Sequence, residues 1–285
     1  MTGHVGSAAA RELLDRGVPV RAVVRDPAQR EEFSQQGALT AVADLGDRAA
    51  LSRALRGSDG AFVLLPISPT GGDAEHRRLA DSIAGAVGDS GIRHVVMLSS
   101  IGADLPDGSG PIRWVHHLEQ RLSETGAVLS AIRSWHFQEK VETILPAVLG
   151  EGVYPVFGDS ADVPTQMIAT RDIGRAVAET LLAPPSASQV IDLEGPVYTE
   201  RDVATHLEAI LGRALQVVTI PRPGWVGAML GAGLPESFAH ELAALYDAEQ
   251  NDRFHARGDR RYTCTTGIDE TLRHVVEAAT SRAVR

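Results

Sequence analysis

Valine-rich apolar runs that alternate with longer helical patterns constrain the fold of this chain more than any other feature. Two clear runs, 18–24 and 94–98, are nearly continuous in apolar residues. Strands of this kind are buried on both faces, and the intervening helices provide the cover. The pattern therefore predicts an α/β fold with a doubly wound parallel sheet. The predicted strands are 18–24, 38–43, 61–65, 94–98, 127–132 and 190–193, and the predicted helices between them lie near 7–16, 27–36, 47–56, 73–89, 113–125 and 136–149.

The alternation weakens after about residue 150, where helical patterns dominate. Thr199 is a candidate N-cap and Gly212 a candidate helix terminator. We predict a sheet domain over 1–150 and a smaller, mostly helical cap over 151–285 that contributes a late strand to the sheet. The predicted cap helices are 171–182, 200–211, 222–232, 235–249 and 267–279.

Composition excludes several classes of protein. The net charge of −10 disfavours a nucleic-acid surface, and no apolar run reaches the ~18 residues of a membrane span. The single cysteine, Cys264, excludes an intrachain disulfide, and no spaced ligand cluster predicts a metal site. With no leader pattern visible, we expect a cytoplasmic protein. Lys140 is the only lysine, so any chemistry that needs a lysine must use it.

The first seven residues match the second half of a glycine-rich dinucleotide loop. Gly3 would let the backbone approach a pyrophosphate, and Gly6 would let the following helix pack close to the sheet. The helix N-terminus would bind the phosphates, so Thr2, His4 and Val5 join the candidate cofactor residues. The alternative is an irregular N-terminus ahead of a surface helix.

Arg25 follows the strand at 18–24, where a dinucleotide fold recognises the adenosine ribose. A carboxylate at this position favours NAD, whereas a guanidinium can hold a 2′-phosphate. Arg25 therefore favours NADP(H), with NAD(H) as the alternative. The competing interpretation is a surface pair with Asp26.

Several segments together resemble the NmrA-like branch of the atypical short-chain dehydrogenase/reductase superfamily. The resemblance covers nearly the whole chain and implies a Rossmann-like domain that binds NAD(P)H, with substrate held under the C-terminal part. Members include reductases of quinones and secondary metabolites, and also redox-sensing regulators. The segments that carry it are 2–7, 20–27, 43–45, 51–55, 96–100, Glu119, 131–133, Phe137 and 168–173.

The resemblance also implies further cofactor contacts at the carboxyl ends of the strands. Asp44 and Leu45 would lie beside the adenine. Leu65 and Pro66 would lie near the adenosine ribose, and Ser99, with Ser100, near the nicotinamide. Strand-end hydrogen bonding and loop capping are the alternatives for these polar residues.

In the family the loop runs Thr-Gly-Ala-Thr-Gly-x-x-Gly after a β-strand, and here Met1 stands where the alanine would be. That strand is central in the 3-2-1-4-5-6 order, so 18–24 and 61–65 would lack a neighbour between them. Unpaired backbone groups cost about 1–3 kcal/mol each. We therefore expect either residues upstream of Met1 or a strand supplied from elsewhere.

The sequence has no Tyr-x-x-x-Lys motif, the acid–base pair that typical short-chain dehydrogenases use. Some relatives place lysine or histidine four residues before the glutamate that corresponds to Glu119, and here that position is Val115. Of the adjacent His116 and His117, at most one can face a cofactor. We take His117 and Ser100 as candidate catalytic residues.

The main hypothesis is an NADP(H)-dependent reductase of a small aromatic, quinone-like or secondary-metabolite substrate. The alternatives are a redox sensor that acts through a protein partner, and a non-redox isomerase or cyclase on the same fold. The expected partner is a small molecule rather than nucleic acid or membrane, and a homodimer is left open. Aromatic residues either line a flat substrate pocket or pack in the core, namely Trp114, Trp135, His136, Phe137, Tyr154, Phe157 and Trp225.

Overall fold

A computed structural model describes residues 3–283 and confirms the α/β class. Its centre is a five-stranded, all-parallel sheet in the order β12-β9-β5-β4-β3, and β1 pairs in parallel with β2. The strands are β1 Arg21–Val24, β2 Leu39–Val42, β3 Gly60–Val63, β4 His94–Ser100, β5 Val128–Ser134, β6 His136–Phe137, β7 Val153–Phe157, β8 Thr165–Ile168, β9 Gln189–Glu194, β10 Val197–Tyr198, β11 Gln216–Ile220 and β12 Arg260–Thr263.

Helices cover both faces of the sheet, as the alternation predicts. The α-helices are α1 His4–Asp15, α2 Arg30–Gln35, α3 Arg48–Leu55, α4 Asp73–Ser90, α5 Ile112–Ser123, α6 Leu145–Glu151, α7 Thr170–Leu182, α8 Glu200–Leu211, α9 Trp225–Gly231, α10 Glu236–Gln250 and α11 Ile268–Ala283. None of the helices within residues 3–283 combines the length and the apolar character needed to cross a bilayer.

The predicted helix 136–149 is wrong over its first half. Residues 136–137 form β6, which pairs in parallel with β8, and Gln138–Thr143 form a 3₁₀ helix before α6 begins at Leu145. Pro146 lies at a first-turn position, where its missing N–H needs no partner, so the α-helix begins there.

The region after residue 150 contains more strand than its helical pattern indicates. β7 pairs with β11, and β8 joins β6 to β10, so two small sheets accompany the five cap helices. These strands are short and half-buried, and their apolar residues pack on the cap's own core. Short apolar runs do not distinguish strand from helix by period alone, which explains why the sequence did not reveal them.

β1 and β3 each have one strand neighbour within residues 3–283. β1 pairs with β2 and β3 pairs with β4, and no ladder joins β1 to β3. The two strands that were expected to lack a common neighbour therefore each have an unpaired edge in the part of the chain described. The source of a strand for that position stays a prediction.

Candidate cofactor and active-site cleft

A cleft of about 380 Å³ opens where the N-terminus of α1 meets the carboxyl ends of β3 and β4. Parallel strands bring their carboxyl ends to one edge of the sheet, which is where ligands bind in open α/β folds. Seven residues predicted from sequence line it together: Gly3, His4, Val5, Leu65, Pro66, Ser99 and Ser100. The remaining lining is largely apolar and comprises Leu64, Ile67, Leu98, Pro111, Ile112, Val115, Phe137 and Thr170.

The N-terminus of α1 is built to receive an anion. Gly3 is its N-cap in an extended conformation, no side chain caps the helix, and its first turn carries no acidic residue. The first N–H groups of a helix have no intrahelical partner, and the helix dipole adds a partial positive charge there. A pyrophosphate therefore fits this end of the cleft. Thr2, also predicted to bind it, lies outside the described residues.

Close packing against α7 holds α1 at this position. A Cβ atom at Gly174 would lie 2.5 Å from the Ala8 Cβ and 2.7 Å from the Ala9 nitrogen, so only glycine fits the crossing. The predicted Gly6 is buried in the first turn of α1 and does not line the cleft. The His4 imidazole turns outward to Glu142, 3.0 Å away, so His4 contributes mainly its backbone to the cleft.

Of the predicted adenosine-binding residues, Leu65 and Pro66 line the cleft, whereas Arg25, Asp44 and Leu45 follow the carboxyl ends of β1 and β2 and lie outside its lining. Arg25 directly follows β1 and is exposed, and within residues 3–283 its guanidinium has no hydrogen-bond or ion-pair partner. Asp44 follows β2 and accepts a hydrogen bond from the Gly46 N–H at 2.7 Å, while Leu45 packs partly into the core. Arg25 is therefore available for an anionic ligand group.

A buried histidine fixes the loop that follows β3. His76 is fully buried in α4; its Nδ1–H donates to the Gly72 carbonyl at 2.8 Å, and its Nε2 accepts from the Ser68 N–H at 3.0 Å. The ring also stacks on Trp114, with centroids 3.8 Å apart. This neutral imidazole anchors the segment carrying Pro66 and Ile67, two lining residues. Sequence reasoning missed it, because nothing in the local pattern distinguishes His76 from a surface histidine.

The Ser99 hydroxyl belongs to a set of interacting polar and charged side chains that we call the strand-end network: Ser99, Asp104, Glu119 and Arg133. The Ser99 hydroxyl donates to Glu119, and Arg133 donates two hydrogen bonds to the same carboxylate at 3.0 and 2.7 Å. Burial disfavours the charged guanidinium, but the hydrogen bonds and attraction from Glu119 still raise the pKa of Arg133 above its ordinary value. Asp104 lies 4.0 Å from Arg133. The network therefore fixes Ser99 at the cleft wall.

The two candidate catalytic residues have different positions. Ser100 lines the cleft, and its hydroxyl donates to the Ile101 carbonyl at 3.0 Å. His117 is absent from the lining and lies in a surface cluster, with Nε2 3.1 Å from Asp81 and Nδ1 3.3 Å from Arg77. His116 also points away, because its Nδ1–H donates to the Ala103 carbonyl at 2.7 Å.

Val115, at the position where some relatives carry a proton-donating side chain, faces the cleft. Val115 faces the cleft while His116 and His117 do not, because adjacent residues of a helix point about 100° apart. The helix α5 thus contributes an apolar wall and no acid or base at this point.

The aromatic residues divide between the two expected roles. Phe137 lines the cleft, whereas Trp114 and Trp225 are buried in hydrophobic cores. Phe157 and Tyr246 stack with centroids 5.4 Å apart. Core packing therefore accounts for most of the aromatic residues that sequence could not assign.

Comparisons with known proteins identify the family of this chain. A family model described as NAD(P)H-binding matches residues 2–184. An NAD(P)H azoreductase from Xenophilus azovorans is 30% identical, over 86% of this chain and 84% of its own. Quinone oxidoreductase 2 from Escherichia coli (strain K12) is 26% identical, over 85% and 83% respectively.

Solved structures share the fold. The NADPH-dependent quinone oxidoreductase from Escherichia coli, determined in complex with NADPH, superposes with a TM-score of 0.75 at 22% identity, covering 96% of this chain and 97% of its own. The relatives are reductases, in agreement with the predicted NAD(P)H-dependent oxidoreductase. The chain belongs to the NAD(P)H-binding family, whose model matches more than half of it.

Proposed function

We propose that this protein is an NADPH-dependent reductase of small aromatic acceptors, with quinones and azo compounds as the first classes to test. The observation that carries the proposal is the cleft itself, which joins an anion-binding helix end to a largely apolar chamber. Its relatives, an azoreductase and a quinone oxidoreductase, support the acceptor classes.

The cofactor's phosphates would bind the α1 N-terminus at Gly3, His4 and Val5, with Thr2 as a further contact. The adenosine would lie toward Asp44 and Leu45, beside Leu65 and Pro66. The exposed Arg25 would pair with a 2′-phosphate, because a guanidinium donates paired hydrogen bonds to phosphate oxygens. Arg25 is therefore the reason for proposing NADPH rather than NADH as the cofactor.

The bound nicotinamide would supply hydride chemistry, and the chain's own residues would position the reactants. The nicotinamide end would be oriented by Ser99 and Ser100. Glu119 accepts from the Ser99 hydroxyl and is itself held by Arg133. Leu98, Ile112 and Val115 would exclude water from the chamber. Positioning of two reactants supplies much of the rate in such a reaction.

A titration of the purified protein with NADPH and NADH, followed by nicotinamide fluorescence, tests the cofactor assignment. Arg25→Gln should weaken NADPH binding about 10-fold, the equivalent of ~1.4 kcal/mol, and leave NADH binding unchanged. Arg30→Gln, another exposed arginine beyond β1, is the matched control and should change neither affinity.

A panel of quinones and azo compounds then tests the activity. Turnover supports the reductase. Tight cofactor binding without turnover on any acceptor would favour the regulator, and no cofactor binding would favour a non-redox enzyme on this fold.

A further inference from the structure

The loop between β3 and α4, residues 64–72, forms one wall of the cleft without a helix or strand of its own. Residues 64–67 line the cleft, and the loop ends at Gly71 and at Gly72, the N-cap of α4. An irregular segment loses about 1–2 kcal/mol of conformational entropy per residue when it is ordered, and glycine loses the most. This wall therefore keeps its shape only where other parts of the fold hold it.

His76, near the start of α4, contacts the loop at three points. Its Nε2 accepts a hydrogen bond from the Ser68 N–H at 3.0 Å, and its Nδ1–H donates to the Gly72 carbonyl at 2.8 Å. The backbone at Gly71 passes so close that a Cβ atom there would lie 3.0 Å from the His76 Cε1. The imidazole thus spans the loop from Ser68 to Gly72.

A second wall of the cleft, on α5, holds the imidazole in turn. Ile112 and Val115 line that wall, and Trp114 between them turns its buried ring onto His76. The two rings are stacked, with centroids 3.8 Å apart and planes 5° from parallel. The Trp114 indole N–H also donates to Asp73 of α4 at 2.8 Å. The stacked pair therefore joins the two walls.

Arg113 links the same ring to the cap. Its guanidinium lies 4.7 Å from the Trp114 ring centroid and donates to Glu241 of α10 at 3.0 and 2.9 Å. A cation over an aromatic face adds electrostatic attraction to the packing. Trp114 is thus held by contacts with α4, α5 and α10, and it gives His76 a rigid support.

We propose that His76 is a positioning residue for cofactor binding, a role that rests on the proposed reductase function. Its hydrogen bond with the Ser68 N–H orders the loop in advance, so that Pro66 and Ile67 are in place before NADPH binds. A ligand that meets an ordered wall does not have to offset the entropy of ordering it, and preorganisation of this kind raises affinity.

The kinetic consequence differs from that of a catalytic residue, because His76 does not line the cleft. The loop contacts the cofactor equally before and during the reaction, so a loosened loop should raise KM for NADPH and leave kcat unchanged. A side chain that served only the stability of the fold would lower the free energy of unfolding without this split.

Two substitutions at His76 release different ends of the loop. In His76→Gln the amide oxygen reaches the position of Nε2 and can accept from the Ser68 N–H. In His76→Asn the amide can donate to Gly72, but no atom reaches Ser68. Both lose the stacked ring. The Gly72 carbonyl also accepts from the His76 backbone N–H at 3.2 Å, so the Gln variant frees an end that the helix still holds.

Ser68→Pro removes the same N–H from the loop side and leaves His76 and its stack intact. The matched control is His94→Asn, at another buried histidine. His94 is the first residue of β4, at the end of the strand away from the cleft, and its Nε2 lies 3.2 Å from the Ser130 hydroxyl. This control weakens the core without touching the loop.

The measurements are NADPH affinity from nicotinamide fluorescence, KM for NADPH and kcat with 1,4-naphthoquinone, and urea unfolding. We expect H76N and S68P to weaken NADPH binding and raise KM about 10-fold, with kcat within about 2-fold. H76Q should stay within about 3-fold of the unaltered protein in affinity and KM. H94N should unfold at lower urea and keep the NADPH affinity of the unaltered protein.

Equal NADPH affinities in H76N and H76Q, or an unchanged KM in S68P, would overturn the positioning role alone. A loss of affinity in H94N as large as that in H76N would also overturn it, because general weakening of the core would then explain the result. Absence of NADPH binding by the unaltered protein would refute the proposed reductase itself, which separates the two failures.

Discussion

The strand-end network differs from a second set of paired side chains, the lysine cluster of His136, Lys140, Tyr154, Glu200 and Glu249, in the elements that it joins. In the strand-end network the Arg133 guanidinium donates two hydrogen bonds to the Glu119 carboxylate. In the lysine cluster the His136 imidazole lies between the Lys140 side chain, 2.9 Å away, and the Glu249 carboxylate, 2.6 Å away. The first set pairs α5 with β5 behind the cleft wall, whereas the second joins β7, α8 and α10 of the cap to residues 136–140.

The largest expected loss of folding stability comes from breaking the ion pair of the strand-end network. Arg133→Met should destabilise the fold by about 3–5 kcal/mol, because it leaves the buried Glu119 carboxylate without its counter-charge. Urea unfolding measures this loss. The double variant that adds Glu119→Gln should recover a large part of it, since both charges are then gone. Equal losses in the single and double variants would show that packing, and not charge pairing, holds this region.

A smaller loss of folding stability is expected when the Tyr154 hydroxyl is removed. Tyr154→Phe should cost about 1–3 kcal/mol, because it removes a donor from the Glu200 carboxylate, whose side chain is only 25% exposed. The matched control is Tyr262→Phe, whose hydroxyl donates to the half-exposed Glu179 at 3.0 Å. Water can replace that donor, so the control should cost below about 1 kcal/mol. A loss in Y262F as large as that in Y154F would contradict the assigned difference in burial.

The smallest expected effect is the pH dependence that the Glu200 carboxylate gives to the free energy of unfolding. Its folded-state pKa is lowered, so its contribution is present above the unfolded pKa of about 4.3 and is lost as pH falls through the folded value. The difference in unfolding free energy between the unaltered protein and Glu200→Gln should therefore shrink on acidification from pH 7. Glu151→Gln, at an exposed carboxylate without a partner in residues 3–283, should show no such trend. A constant difference for E200Q across this range would contradict stabilisation by the charged form.

The sheet elements were predictable because their signal is local. The runs around β1, β4 and β5 are apolar and bounded by helical patterns, so length and period sufficed. The family resemblance implied cofactor contacts at the strand ends, and four of those residues, Leu65, Pro66, Ser99 and Ser100, line one cleft because parallel strands share one carboxyl edge. The same reasoning failed for residues 136–149, where a two-residue strand and a 3₁₀ turn replace a predicted helix.

The contacts of the lysine cluster were not predictable, because its members are distant along the chain. His117 has a chemically suitable side chain, yet helix geometry turns it to the surface beside Asp81. Glu200 and Glu249 lie on separate helices and meet Lys140 and His136 only when the cap folds back. No spacing rule links such positions.

The sequence by itself determined the α/β class, the glycine loop fragment at Gly3, the arginine after β1 and the absence of a Tyr-x-x-x-Lys motif. It also determined that any lysine chemistry must use Lys140. The tertiary structure alone decided that Val115 faces the cleft, that His117 does not, and that Lys140 lies in contact with His136 and Glu200. Local propensity and hydrophobic period specify elements, whereas contacts between distant side chains exist only once those elements have packed.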